Sequence, residues 1–166
     1  MKKKAPDAID LLDADHLAVH ALFRSYRELV RCGASALQRR ALAEEICMEL
    51  TIHARLEEEL FYPAVREALN DEDLVDGAEE DHGSQRELIA QILVASAQSE
   101  LYDARVAVLA EYVERHVRQE REQVFNRALA SRLDLQSLAR SLTIRKEELR
   151  AVSEALREDA LASAHA

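Results

Sequence analysis

Helix breakers are nearly missing from this chain, which has three glycines and two prolines in 166 residues. Turns and strand ends draw heavily on those two residue types, so the chain has few places to reverse and must run in long regular segments. Ala, Leu, Glu and Arg dominate those segments and are strong helix formers, while aromatics amount to only 4%. The expected fold is therefore all-α. A chain of this length buries a core without disulfides or a structural metal, so a metal site here would serve function.

Punctuation and periodicity locate the helices. Pro6-Asp7 is a helix start, and Leu12, His16, Val19, Phe23, Tyr26 and Val30 follow at spacings of four and three until Cys32-Gly33 closes helix one. Ser35 with Gln38 predicts a capping box, after which Leu42, Ile46, Leu50, His53, Glu57 and Leu60 carry helix two to about residue 62. Pro63 interrupts the stripe, leaving a short tail to Leu69. Asn70-Asp71-Glu72-Asp73 reads as a turn, and Val75, Ala78, His82, Gln85, Ile89, Ile92 and Ser96 mark helix three, weakened early by Gly77 and Gly83. Helix four runs from near Leu101 through Tyr102, Val106, Leu109, Val113, His116, Glu120 and Val124 to about Ser131. Leu135, Leu138, Leu142, Leu149, Val152 and Leu156 predict a fifth amphipathic segment, free of His and Cys until His165. Residues 1–131 are thus expected to form a four-helix bundle. Residues 132–166 are expected to be a helical extension, packed on the bundle or used for homo-oligomer formation.

The formal net charge of -10 repels phosphate backbones and anionic lipid, and the only basic cluster is the short Lys2-Lys3-Lys4 head. Nucleic acid and membrane surfaces are excluded as partners on this ground. No apolar run approaches the ~20 residues of a membrane span, and the start leads directly into a charged amphipathic segment, so a cytoplasmic protein is expected. Cys32 and Cys47 form no CxxC pair and are read as reduced, structural thiols.

Each predicted bundle helix carries a polar interruption in its apolar stripe: His16, His53, His82 and His116. At ~100° per residue each imidazole lies within about 50° of the centre of its stripe and points inward. One such histidine alone reads as a core residue satisfied by a neighbour. Here the pattern is doubled: His16 then His53-x-x-x-Glu57, and His82 then His116-x-x-x-Glu120. Residues four apart share a helix face, so imidazole and carboxylate can reach one ion or two adjacent ions. Glu57 belongs to the run Glu57-Glu58-Glu59, but Glu58 and Glu59 project roughly 140° and 240° from His53 while Glu57 projects only about 40° away. Glu120 is likewise the one acid of its run that shares the face of His116. With pseudo-twofold symmetry each ion receives two or three histidines, and Glu57 and Glu120 lie between the ions. The donor set suits iron, manganese or zinc. His20 falls on the flank of its stripe, as an additional ligand or an outer residue.

This order of motifs, with Leu11-Leu12-Asp13-Ala14-Asp15-His16 before it and Glu59-Leu60-Phe61-Tyr62-Pro63 after the first pair, resembles the hemerythrin family, and more narrowly the bacterial HHE cation-binding domains. The likeness covers roughly residues 7–130. It implies an up-down-up-down bundle enclosing two iron ions bridged by carboxylates and an oxo or hydroxo group. The ligands carried over are His16, His53, Glu57, His82, His116 and Glu120. Oxygen-carrying relatives have a second helix-three histidine where this chain has Arg86, and typically a more widely spaced Asp on helix four where it has Glu120. The missing ligand could be Glu79, His20, Tyr62 or water, and an open position favours chemistry with dioxygen, hydrogen peroxide or nitric oxide over carriage.

Three function classes follow. The first is a di-iron protein that binds or reacts with a small oxygen or nitrogen species, as sensor, detoxifier or carrier, including catalase-like turnover. The second is an iron-handling bundle with ferritin-like ligands, since Asp13-x-x-His16 and Glu79-x-x-His82 have the carboxylate-x-x-His spacing. The third is a metal-free interaction protein, which must leave six inward polar groups to find partners of their own.

Overall fold

The structure, a computed structural model, describes residues 5–163, so the basic head at Lys2–Lys4 and His165 lie outside the described residues. Helix α1 is Ala8–Arg31. Its start is fixed by Asp7, whose Oδ1 accepts from the Ile9 and Asp10 amides at 3.0 and 3.1 Å. Gly33, at φ +67°, makes the left-handed turn that ends it. Helix α2, Ala36–Leu56, opens on the expected capping box: the Gln38 amide donates to Ser35 Oγ at 3.2 Å and the Ser35 amide to Gln38 Oε1 at 3.1 Å.

Pro63 does not break the second helix. The chain takes a π-helical turn at Glu57–Phe61 and continues as α3, Tyr62–Leu69, with the proline in the first turn, where its missing N–H costs least. Asn70, with φ 47°, closes α3. Helix α4 is Asp76–Val94 and α5 is Tyr102–Glu120. A second π turn at Arg121–Phe125 leads into α6, Asn126–Ala130. The extension forms α7, Leu135–Ala151, and α8, Ser153–Ser163. No strand occurs among the described residues.

Helix α1 packs on α2 and α5, and α4 packs on α5 and α2, which closes an up-down-up-down ring. Helix α7 lies against α1 and α2, and α8 against α4 and α2. Leu142, Leu149 and Leu156 of the extension are buried in one cluster with Leu12, Leu56, Phe61 and Phe125 of the bundle. A second cluster around Phe23, Tyr26, Ile46, Ile92, Tyr102 and Leu109 fills the opposite end. Between these apolar halves lies a polar layer: His16, His53, Glu57, His82, Gln85, His116 and Glu120 are all buried.

Candidate metal centre

The helix registers bring together side chains distant in sequence. His16 Nε2 and His53 Nε2 are 2.9 Å apart, and the rings of His82 and His116 lie 4.7 Å apart between centroids. Glu57 stands between the two pairs with one oxygen toward each. Its Oε1 is 2.9 Å from His53 Nε2 and 3.8 Å from His16 Nε2; its Oε2 is 3.1 Å from His82 Nε2 and 3.9 Å from His116 Nε2. Glu120 Oε2 lies 3.3 Å from His16 Nε2 and 3.9 Å from His116 Nε2. Two groups of potential ligand atoms result, His16, His53, Glu57 and Glu120 in one and Glu57, His82 and His116 in the other, each with its atoms within 4.8 Å of one another.

Tyr62 closes the layer. Its Oη lies 3.0 Å from Glu57 Oε2 and 2.9 Å from Glu120 Oε1. On a regular α-helix a residue five positions after Glu57 would project about 140° from it. The π turn, in which the Tyr62 amide donates to the Glu57 carbonyl five residues back, instead lays both side chains on one face.

Electrostatics sort the groups. Burial and the negative charge of Glu57 hold the Glu120 carboxyl well above its ordinary range. Burial acts the same way on Glu57, but His53 and His82 overcome it and hold that carboxyl well below its ordinary range. Burial opposes the charged form of His53 too, yet Glu57 and Asp15 raise it to about 10. Burial lowers His16 to about 4, helped by His53, and lowers His116 to about 3 against the pull of Glu57. The Tyr62 hydroxyl lies where it can donate to either glutamate, and burial with the two glutamates pushes the phenol well above its usual range. Protons thus balance charge that a cation could balance, and a cation taking their place would release them.

The residues fit a metal on an observation independent of spacing. Glu120 Oε2 and His116 Nε2 are fully buried, face the cluster and have no hydrogen-bond partner. Buried polar atoms left unpaired each cost on the order of 1–3 kcal/mol, and both are ordinary ligand atoms of a divalent cation.

Behind each imidazole stands a carboxylate. The Nδ1 atoms of His16, His53, His82 and His116 lie 3.5, 3.4, 3.0 and 3.7 Å from Asp13, Asp15, Glu58 and Asp81. Each carboxylate in turn meets a cation: Asp13 with Arg121 at 2.6 Å, Glu58 with Arg86 at 2.7 Å, Asp81 with Arg115 at 3.2 Å, and Asp15 with Lys146. Asp15 and Glu58 hydrogen-bond His53 and His82 and so orient those rings and fix their tautomer, whereas Asp13 and Asp81 stand near His16 and His116 without a hydrogen bond. Sequence reasoning missed this outer ring, although the Asp-His dipeptide recurs at 15–16 and 81–82. Each of those aspartates serves the histidine of another helix, His53 or His116. Glu58, read from its angle as turned away, reaches back to His82, which identifies the role of Arg86.

All six expected ligands therefore converge, whereas the two additional candidates stand outside the cluster. His20 is exposed on the flank of α1, and Glu79 is held by Arg66 through two contacts of 2.9 Å. Asp13 meets the outward nitrogen of His16, not the inward one. Three cavities border the layer: a cleft of about 800 Å³ at His16 between α1 and α5, one of about 190 Å³ at His116 and Glu120, and one of about 80 Å³ at His82 and Gln85.

A four-helix bundle with histidines and carboxylates buried in matched pairs between two apolar cores defines a metal-binding protein of the all-α class. The family model for the Hemerythrin HHE cation binding domain matches residues 7–128, and the chain belongs to that family. In fold it is similar to the crystal structure of a hemerythrin HHE cation binding domain-containing protein from Mycobacterium kansasii. That likeness has a TM-score of 0.72 and 22% identity, and it covers 95% of this chain and 100% of the other. Among curated proteins none matches. No helix is long and apolar enough to cross a membrane among the described residues.

Proposed function

We propose that His16, His53, Glu57, Glu120, His82 and His116 hold two iron ions, and that the protein binds or reacts with dioxygen, hydrogen peroxide or nitric oxide. The observation that carries this reading is Glu57, whose two oxygens face two different imidazole pairs, as a carboxylate shared by two ions requires. Two adjacent iron ions would supply paired one-electron changes to a small ligand. The chain's own residues do the rest. The apolar clusters pack on either side of the layer, Tyr62 lies within hydrogen-bonding distance of both carboxylates, and Asp15 and Glu58 hold His53 and His82 with Nε2 inward.

The group around His82 and His116 contains three protein donors against four in the other. A position left to solvent on that ion favours ligand binding or turnover over a fully closed site. The ferritin-like reading is disfavoured because Arg66 holds Glu79 away from the cluster, and the metal-free reading because it leaves Glu120 Oε2 and His116 Nε2 buried and unpaired.

Elemental analysis of protein purified without oxygen tests the centre. About two irons per chain are expected, and under about 0.5 metal per chain refutes it. Optical spectra under oxygen, peroxide and nitric oxide then identify the small molecule by the change in the ligand-to-metal bands.

A further inference from the structure

We propose that Lys146, on helix α7 of the C-terminal extension, is a positioning residue of the metal centre: through Asp15 it fixes the orientation of His53. The inference rests on His53 being a metal ligand, as argued above. Three of the four cations behind the imidazoles, Arg121, Arg86 and Arg115, belong to the bundle that the family model covers. The fourth comes from beyond it. Lys146 binds Asp15 Oδ1, and Asp15 Oδ2 lies 3.4 Å from His53 Nδ1.

This pair is also the most sheltered of the four. The side chains of Lys146 and Asp15 are 23% and 17% exposed, whereas Arg86, Arg115 and Arg121 are 51%, 50% and 44% exposed. Solvent screening is weakest where both partners are shielded, so the Lys146 charge acts on Asp15 more strongly than its counterparts act on their acids. Its position is imposed by the fold of the extension. Leu142 and Leu149, four residues before and three after, share its helix face and are buried in the bundle core. Arg145 next to it pairs with Glu59 at 2.7 Å. Among the described residues His53 and Lys146 are the recorded partners of Asp15, so without the lysine the carboxylate is free to swing to solvent and His53 Nδ1 loses its acceptor.

Three full-length variants test this: Lys146→Met, Lys146→Arg and Arg145→Met. The last loses an ion pair of the same helix without touching Asp15, so it reports on helix docking alone. Iron(II) is titrated anaerobically against a competing chelator, with Mössbauer spectra of the loaded proteins and circular dichroism to check folding. Lys146→Met is expected to weaken one of the two irons about tenfold and to alter the signal of that iron only, the scale typical for loss of an outer-sphere partner. Lys146→Arg restores both readouts, and Arg145→Met behaves as the parent protein. Unchanged binding and spectra in Lys146→Met overturn the proposal, and so does an equal loss in Arg145→Met, which would reduce the lysine to a docking contact. If the parent protein holds no iron, or His53→Ala keeps both irons at full affinity, it is the assignment of the centre that fails, and this inference falls with it.

Discussion

Replacing Glu57 by Gln keeps the shape of the side chain and removes the charge shared by the two donor groups. Glu57 belongs to both groups, so its loss leaves His16, His53 and Glu120 on one side and only His82 and His116 on the other. Four-ligand protein sites bind divalent metal with roughly 10–16 kcal/mol, so one ligand is worth about 3 kcal/mol, or about a hundredfold in affinity. Applied to both groups, that loss removes the ion held by two imidazoles at micromolar free metal and weakens the other. Glu120→Gln, by contrast, subtracts one donor from the four-membered group and leaves the other intact. Iron per chain, measured after equilibration with a chelator-buffered iron(II) series, should then fall from about two to at most one in Glu57→Gln, while Glu120→Gln retains the ion at His82 and His116. Thermal unfolding of both variants checks that the bundle persists. Two ions bound at parental affinity by Glu57→Gln would refute the shared-carboxylate reading.

Leu149→Ala truncates a side chain 1% exposed in the core that α7 shares with the bundle, and should cost about 3 kcal/mol and lower Tm by about 6–12 °C in one cooperative transition. A separate early transition, with the bundle unaffected, would show that the extension folds on its own. Metal-free protein should be most stable near pH 6.5 in urea titrations. His16 and His116, lowered to about 4 and 3, take up protons first in the unfolded chain, so stability falls as pH drops below 6.5. His53, raised to about 10, and Glu120, raised above its ordinary range, hold protons in the folded chain that the unfolded chain has shed, so stability also falls as pH rises toward 10. A flat profile from pH 6.5 to 9 would contradict this balance. One thiol per native chain should react with a maleimide at pH 8, since Cys32 is exposed whereas burial raises Cys47 to about 12, leaving on the order of one thiolate in ten thousand. Mass mapping that found Cys47 labelled in the folded protein would overturn its placement.

The helices, their caps and the inward aim of the six polar side chains were legible because each depends on neighbours within a turn or two. A 3.6-residue period decides which face a side chain takes, and Asp7, Ser35 and Gly33 mark ends through bonds three or four residues long. The same rule misplaced Glu58 and could not aim Tyr62, because it assumes an unbroken α-helix and an isolated one. The π turn at 57–61 rotates everything after it, and Glu58 finds His82 on a helix whose position no local period encodes. The extension shows the same division. Its leucine stripe was plain in the sequence, but that its face covers α1 and α2, and that Lys146 thereby meets Asp15 across 131 residues, follows from packing alone. Sequence determined which side chains point inward on each helix. Tertiary structure decided which of them meet, because the free energy of burying a polar layer is settled only when partners from four helices arrive in the same plane.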